Sequence, residues 1–405
     1  MGYPAWLPFL LGFLTAVGPI TTDMYLPAFP AIEASLHAAT GTAQITLATW
    51  FAGLAIGQPT QGTLSDRYGR RGPLIAGTAI YTIANAGCAL APDLTTFALM
   101  RFVAGFGGAA SMVIPRAVVR DLAEGHAAAR LMSKLILVMG AAPILAPTLG
   151  GLVLTVASWH VLFWVTTAYG ALCCVLVALL LPDTLADHRR LRLSFAGVIQ
   201  RYMIVGRDRV FLAYAAMGGF GMFGMFVYIG GSSPVFIETF HFTPAQYGML
   251  FGMGAASFIV GSQISPRLLP RFGVNRVVRV AAIVYLLAAL VLTLISFLAI
   301  GGAWAIVPPV MVAMACMGFV MPNSAVGALS RHAAQAGSAS ALMGTLQFCL
   351  AALSGILVGL LTDGTARPMA GLMLFGAVCV VIADRLRPAA AGTKKVPQLS
   401  STAND

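Results

Sequence analysis

The sequence predicts an all-α polytopic membrane protein with twelve transmembrane helices in two six-helix bundles. Three observations carry that prediction. AVILMFWYC residues make up 59% of the chain and charged residues 9%, with a mean hydropathy of +0.88. Soluble domains hold about 45–50% apolar and about 25% charged residues. Met1–Thr22, Leu135–Pro182, Val210–Ile237, Val280–Ser330 and His332–Thr362 contain no Asp, Glu, Lys or Arg, and ~20 apolar residues suffice for a helix to cross a bilayer. Finally, the basic residues collect in alternate loops. These features exclude an ordinary soluble enzyme and a disordered chain. A β-barrel is excluded too, because barrel strands alternate and leave no unbroken apolar run.

Length sets the helix number. Twelve spans of about 22 residues use about 264 residues. About 140 of the 405 remain for loops and tails, too few for an added soluble domain. The first span is placed at 5–26; its start, MGYPAWLPFLLGFL, lacks the basic n-region of a signal peptide. Spans follow at 41–63, 73–92, 95–117 and 132–154, with Arg101 inside the fourth. Thr155–Trp159 separates the fifth from the sixth at 160–181. The polar, Arg-rich stretch 182–209 then divides the chain nearly in half and is read as a linker. Spans resume at 210–231, 245–266 and 277–298. Ala299–Ala303, with Gly301 and Gly302, breaks the long uncharged run before 303–325. The last spans are 338–361 and 368–387. The organisation predicted is an N-terminal bundle (1–181), a cytoplasmic linker (182–209), a C-terminal bundle (210–388) and a disordered cytoplasmic tail (389–405).

Charge fixes the expected orientation. With the N-terminus inside, the inner loops hold Arg67, Arg70 and Arg71; Arg120, Arg130 and Lys134; the arginines of 182–209; Arg267, Arg271, Arg276 and Arg279; and Arg331. Arg116 lies near an inner helix end, and the tail adds Arg385, Arg387, Lys394 and Lys395. The outer loops hold only Arg367. That asymmetry predicts N-in and C-in. The net charge of +11 is therefore a topology signal; no basic helix face with interleaved aromatics points to nucleic acid.

Reactive motifs are missing. The six cysteines lie in apolar runs without C-x-x-C spacing and read as small buried residues. The histidines are scattered, and there is no H-E-x-x-H, G-x-x-x-x-G-K-[ST] or G-x-S-x-G. No metal, cofactor, ATP site or enzyme is expected, which leaves an ion gradient as the source of energy.

An internal repeat supports the two halves. Gly62-Thr-Leu-Ser-Asp66-Arg67-Tyr-Gly69-Arg70-Arg71 follows the second span, and Arg271-Phe272-Gly273 follows the eighth, 204 residues after Arg67-Tyr68-Gly69. Parallel six-helix halves are a recognised transporter architecture.

These stretches resemble the major facilitator superfamily, and specifically its drug:proton antiporters of the bicyclomycin and chloramphenicol resistance (Bcr/CflA) group. Gly62–Arg71, preceded by Gln58-Pro59, resembles the cytoplasmic motif G-x-L-x-D-R-x-G-R-R. Arg101-Phe-Val-Ala-Gly105-Phe-Gly107-Gly108 resembles the fourth-helix motif with its intramembrane arginine. Ala146-Pro147-Thr-Leu-Gly150-Gly151 resembles the antiporter motif, with Ala146 where Gly is usual. Pro19-Ile-Thr-Thr-Asp23-Met-Tyr25-Leu-Pro27 resembles the subgroup's first helix. The resemblance covers the whole chain. It implies a multidrug efflux antiporter of the bacterial inner membrane, working by alternating access as a monomer among membrane lipids.

Candidate residues follow. Asp23 and Arg101 are the two formal charges placed clearly within spans, at similar depth, and such charges are costly enough to mark function. Desolvation raises a carboxylate's pKa and a nearby arginine lowers it, so Asp23 is a candidate proton carrier; a structural Asp23–Arg101 ion pair is the alternative. Gly62, Asp66, Arg67, Gly69, Arg70 and Arg71 form a candidate cytoplasmic gate, in which Asp66 can accept from N–H groups at a helix N-terminus; Arg70 and Arg71 also serve as topology signals. Pro143, Pro147, Gly150 and Gly151, with Gly105, Gly107 and Gly108, allow bending and close approach. Tyr25, Trp50, Gln58, Tyr228, Asn323 and Gln347 are candidate substrate contacts. Multidrug relatives that carry a second acid in helix one have Thr15 at that place here, which favours neutral or zwitterionic substrates. Two rival functions remain: an exporter of a native metabolite such as an amino acid or nucleoside, and a non-transporting membrane receptor.

Overall fold

The computed structural model describes residues 4, 6–39, 41–122, 131, 142, 145–185, 195–332 and 336–387. Every predicted span overlies a helix where it is described; of 132–154, residues 145–153 are helical, and 132–141, 143 and 144 lie outside the described residues. The first is broken: α1 (Leu7–Thr15), α2 (Val17–Asp23), a short 3-10 turn (Leu26–Ala28) and α3 (Phe29–Ser35). Pro19, Pro27 and Pro30 each lack the N–H that an unbroken helix needs. The path therefore runs on to Ser35 rather than ending at residue 26, and it brings Glu33 inside, where the carboxylate caps the next helix through Gly41 N (2.9 Å) and Ala43 N (2.8 Å).

The chain continues through α4 (Thr42–Tyr68), α5 (Arg71–Ala89), α6 (Leu94–Leu122), α7 (residues 145–153) and α8 (Trp159–Leu180). The stretch expected to be a linker contains a helix, α9 (Phe195–Gly206). Next come α10 (Arg209–Ser233), a π turn (Pro234–Thr239), α11 (Pro244–Phe272), α12 (Val274–Leu298), α13 (Gly302–Leu329), α14 (Ala336–Leu361) and α15 (Arg367–Leu386). Among the described residues, nine helical segments are long and apolar enough to cross a membrane. α4 and α5 are not among them. α4 carries Gln44, Gln58 and Gln61, all buried against neighbouring helices, so its low hydropathy reflects an interior position. The tail, 389–405, lies outside the described residues.

α4, α5, α6 and α8 pack on one another, as do α10, α11, α12, α13 and α15, and α14 joins α4 to α10. Small residues let the helices approach closely. A Cβ on Gly53 would stand 2.2 Å from Phe102 O, and one on Gly261 2.1 Å from Ala315 O. These two contacts, α4 on α6 and α11 on α13, are copies of one arrangement. Backbone dihedrals repeat at the 204-residue offset of the loop motif: Gly69 and Gly273 have φ of +93° and +73°, and His37 and His241 have φ of 50° and 56°.

One end of the bundle is rich in arginine (Arg67–Arg71, Arg271–Arg279, Arg331 and Arg385–Arg387). The other is poor in it (Asp93, Asp363 and Arg367). The two halves meet over the Arg-poor part. Gly41 sits against Thr362, Gly355 against Ala48, Gly248 against Pro147 and Gly151 against Pro244. Near mid-bundle Gln58 packs on Gly344 and Thr345 donates to Ala55 O (3.3 Å). Past that level, toward the Arg-rich end, no hydrogen bond or ion pair joins the halves among the described residues.

Candidate functional site

Asp23 closes α2 at the seam between the halves. Its side chain is buried, and its hydrogen bond is from Thr22 Oγ1 (2.8 Å). Thr22 also donates to Gly18 O (3.0 Å). Next to Asp23 along the chain, a Cβ on Gly150 of the same half would overlap Met24 O at 1.9 Å, and across the seam Ser233 Oγ donates to Leu26 O at 2.8 Å. From the second half, the buried Tyr247 ring brings its hydroxyl within electrostatic range of Asp23 while sharing a 2.9 Å hydrogen bond with Ser232.

Arg101 is fully buried one helix away, yet no ion pair forms with Asp23. Arg101 Nη1 reaches Thr21 O at 3.4 Å, while Nε and Nη2 have no partner. The guanidinium instead lies 4.3 Å from the Tyr25 ring centroid, 5.0 Å from Trp50 and 5.8 Å from Phe163. Each ring face offers negative quadrupole to a cation. The ion-pair alternative raised from the sequence is thus set aside. The acid and the base share one region of the first half without neutralising each other.

The candidate substrate contacts divide. Tyr25 and Trp50 belong to the Arg101 cage. Tyr228 is buried, stacks on Phe251 (5.7 Å, 11°) and leaves its hydroxyl unpartnered. Gln58 and Gln347 lie against Gly344 and Gly218. Asn323 is committed to packing, donating to Ser265 Oγ (2.8 Å) and Phe319 O (2.7 Å). An aromatic cluster not foreseen from the sequence spans the seam: Phe51 meets Phe226 at 4.1 Å and Phe348 at 5.9 Å. Pro147, Gly150 and Gly151 all stand on the seam against the second half or α2; Pro143 lies outside the described residues.

At the Arg-rich end, Arg70 is the hub of the candidate gate. Its side chain is buried, with Nε to Asp121 Oδ2 (2.7 Å), Nη1 to Asp66 Oδ1 (2.5 Å) and Nη1 to Ser65 Oγ (3.0 Å). Burial alone would lower the Arg70 pKa; the bonds to Asp121 and Asp66 outweigh it, and it stands above its ordinary value. This corrects the role expected of Asp66. Asp66 binds a side chain, and the N–H that opens α5 is capped by Asp183 Oδ1 (2.8 Å from Arg70 N). Gly69 is needed here twice over: φ is +93°, and a Cβ would collide with the Asp183 carboxylate. Gly62 packs on Val113, Arg67 lies exposed over Tyr68 (5.4 Å), and Arg71 donates to Ala178 O (2.5 Å). Asp121 and Asp183 were missed in the sequence because they lie far along the chain from the motif.

Known proteins resolve the family. The Major Facilitator Superfamily profile matches residues 11–356. The chain belongs to the major facilitator superfamily. It is 34% identical to the uncharacterized MFS-type transporter YdgK of Bacillus subtilis, over 92% of each chain. It is 30% identical to a bicyclomycin resistance protein homolog of Haemophilus influenzae, again over 92% of each. A crystal structure of a bacterial homologue of the human lysosomal transporter Spinster, inward-facing and occupied, superposes with a TM-score of 0.72 at 14% identity, covering 95% of this chain and 97% of that one; the likeness is one of fold. This facilitator is a multi-pass membrane transporter, not an enzyme, and its resemblance to the Bcr/CflA branch agrees with the relative named for bicyclomycin resistance.

Proposed function

We propose that the protein is a proton-coupled exporter of small neutral or zwitterionic drugs, chloramphenicol- or bicyclomycin-like, in the bacterial inner membrane. Twelve helices cross the membrane as two rocking bundles, 1–181 and 210–388, with linker 182–209 and both termini in the cytoplasm; the Arg-rich end then faces inward by the positive-inside rule. With the halves joined at the Arg-poor end, the arrangement is that of the inward-open state. The observation that carries the reading is Asp23: a buried carboxyl with one hydrogen-bond donor among the described residues, the Thr22 hydroxyl, three residues from the Leu26–Ser233 contact between the halves. Burying an uncompensated charge in a membrane helix is costly. The proton on Asp23 and the packing of the seam are therefore energetically linked. Proton binding favours one arrangement of the halves, and drug binding the other. The Arg70 hub stabilises the first half at the inner mouth. Monomeric action, with no cofactor beyond the gradient, completes the proposal.

The test is transport in proteoliposomes under an imposed proton gradient, with chloramphenicol, bicyclomycin and a sulfonamide, comparing wild type with Asp23→Asn. Gradient-driven movement in wild type that disappears in Asp23→Asn supports the proposal. Movement that persists unchanged in the variant removes Asp23 as proton carrier. No movement of any drug sinks the drug-export reading, and amino acids and nucleosides become the next panel.

A further inference from the structure

A second site lies at the Arg-rich end, away from the seam. There the start of α1, the first turn of α5, the end of α6 and the end of α8 line an open cleft of about 650 Å³, within the ~300–1,000 Å³ range of small-molecule sites. Its walls are of two kinds. Trp6, Leu122, Leu179 and Leu180 present apolar surface that stays exposed, Leu179 at 76%. Arg71 and Asp121 supply the charged groups.

Those two charges are not equivalent. Asp121 is spent: Oδ2 accepts from Arg70 Nε (2.7 Å) and Thr184 Oγ1 (3.3 Å), and Oδ1 takes Arg70 Nη2 (3.4 Å). Arg71 uses one nitrogen on Ala178 O (2.5 Å) and makes no ion pair among the described residues. A guanidinium carries five N–H donors, so most remain for a ligand. The cavity thus offers one uncommitted cation beside exposed leucines and a tryptophan. Tryptophan concentrates at the membrane–water boundary, and the position at a bundle end places the cavity at headgroup depth whichever way the chain inserts.

We propose that this cavity binds an anionic membrane phospholipid, the phosphate on Arg71 and an acyl chain along Leu179 and Leu180. The inference needs only that the fold sits in a bilayer; it does not depend on drug export or on proton coupling. The lipid abuts Asp121, and so lies one side chain from the Arg70 hub.

The experiment is native mass spectrometry of the full chain released from nanodiscs of phosphatidylcholine containing phosphatidylglycerol. Wild type should retain phosphatidylglycerol in preference to phosphatidylcholine. Arg71→Gln should cut that retention about fivefold, the equivalent of ~1 kcal/mol for one basic side chain at an anionic surface. Arg71→Lys should keep most of it, which separates charge from folding. Arg67→Gln, an exposed arginine at the same end but outside the cavity, should leave it unchanged. Should Arg71→Gln fail to fold, Trp6→Ala must weaken retention from the apolar side. Equal loss in Arg67→Gln and Arg71→Gln, or equal retention of the two lipids by wild type, overturns the proposal. So does displacement of the bound lipid by inorganic phosphate, which would mark a free-anion site.

Discussion

Gly151→Ala tests the seam most directly. The Cβ that this change adds would lie 2.5 Å from Pro244 O of the second half, a backbone atom that no rotamer change can move. Real Cβ contacts essentially never fall under 3.0 Å, so α7 and the start of α11 must separate by at least 0.5 Å (3.0 − 2.5). Overpacking of this kind costs about 1–3 kcal/mol. At about 1.4 kcal/mol per decade, the ratio of joined to parted Arg-poor ends drops between about fivefold and over a hundredfold. Spin labels at Asp93 and Asp363 read that ratio, because both positions are exposed at the Arg-poor end, one on each half. The expected result is a longer mean distance or a second, longer population in Gly151→Ala. Gly371→Ala is the control, since nothing stands within 4 Å of its added Cβ. Identical distance distributions for the two variants would refute the claim that Gly151 holds the halves together.

Three further outcomes follow from the same geometry. Ser233→Ala deletes the 2.8 Å bond to Leu26 O; losing about 1 kcal/mol should shift the same spin-label populations by about fivefold, and no shift would remove this bond from the seam. Arg70→Ala strands the largely buried Asp121, while Asp66, 38% exposed, regains water; the loss stays below the about 3–5 kcal/mol of a fully buried pair, but the thermal unfolding midpoint should still fall below that of Arg71→Ala, and equal midpoints would deny Arg70 its place as hub. Gly69→Ala should destabilise far more than Gly273→Ala. Both hold a backbone conformation essentially reserved for glycine, φ 93° with ψ 172° and φ 73° with ψ 152°, at a cost of about 1–3 kcal/mol for alanine, but only Gly69 also meets the Asp183 carboxylate, so matched melting curves would exclude that contact.

The helices were legible because desolvation demands them: an apolar run of membrane length has no other way to satisfy its backbone. The path of the first helix was not, since its three prolines redirect a chain whose hydropathy reads as one span ending at residue 26. The Arg density of 182–209 masked α9 in the same manner, although Phe195–Gly206 interleaves Val, Ile, Met and Tyr with few polar residues. Site chemistry was legible where a charge is anomalous, as with Asp23 and Arg101. It was illegible where the partner is distant. Asp121 and Asp183 lie 51 and 113 residues from Arg70, and nothing local marks either. The Arg101 cage was hidden for a different reason. Tyr25 and Trp50 stand out in the sequence as candidate substrate contacts and Phe163 not at all, and only the fold turns the three faces toward one cation.

The repeat and its exceptions together locate the chemistry. Dihedrals and close helix contacts recur at matching positions in the two halves, yet the membrane charges do not. α2 carries Asp23 and α6 carries Arg101, while residues 210–233 of α10 and 302–329 of α13 contain no charged side chain at all. Val227 stands 204 residues after Asp23. A titrating group in one half can influence the other only through what lies between them. Here the contact nearest Asp23 along the chain is Ser233 Oγ on Leu26 O, three residues away, and Gly150, which packs on Met24 within the first half, is followed by Gly151, which packs on Pro244 of the second. Packed interfaces of this type are bistable rather than continuously deformable. On the proposed proton role of Asp23, a change of its charge would act on the second half through this contact, and that half would need no ionisable group of its own to respond.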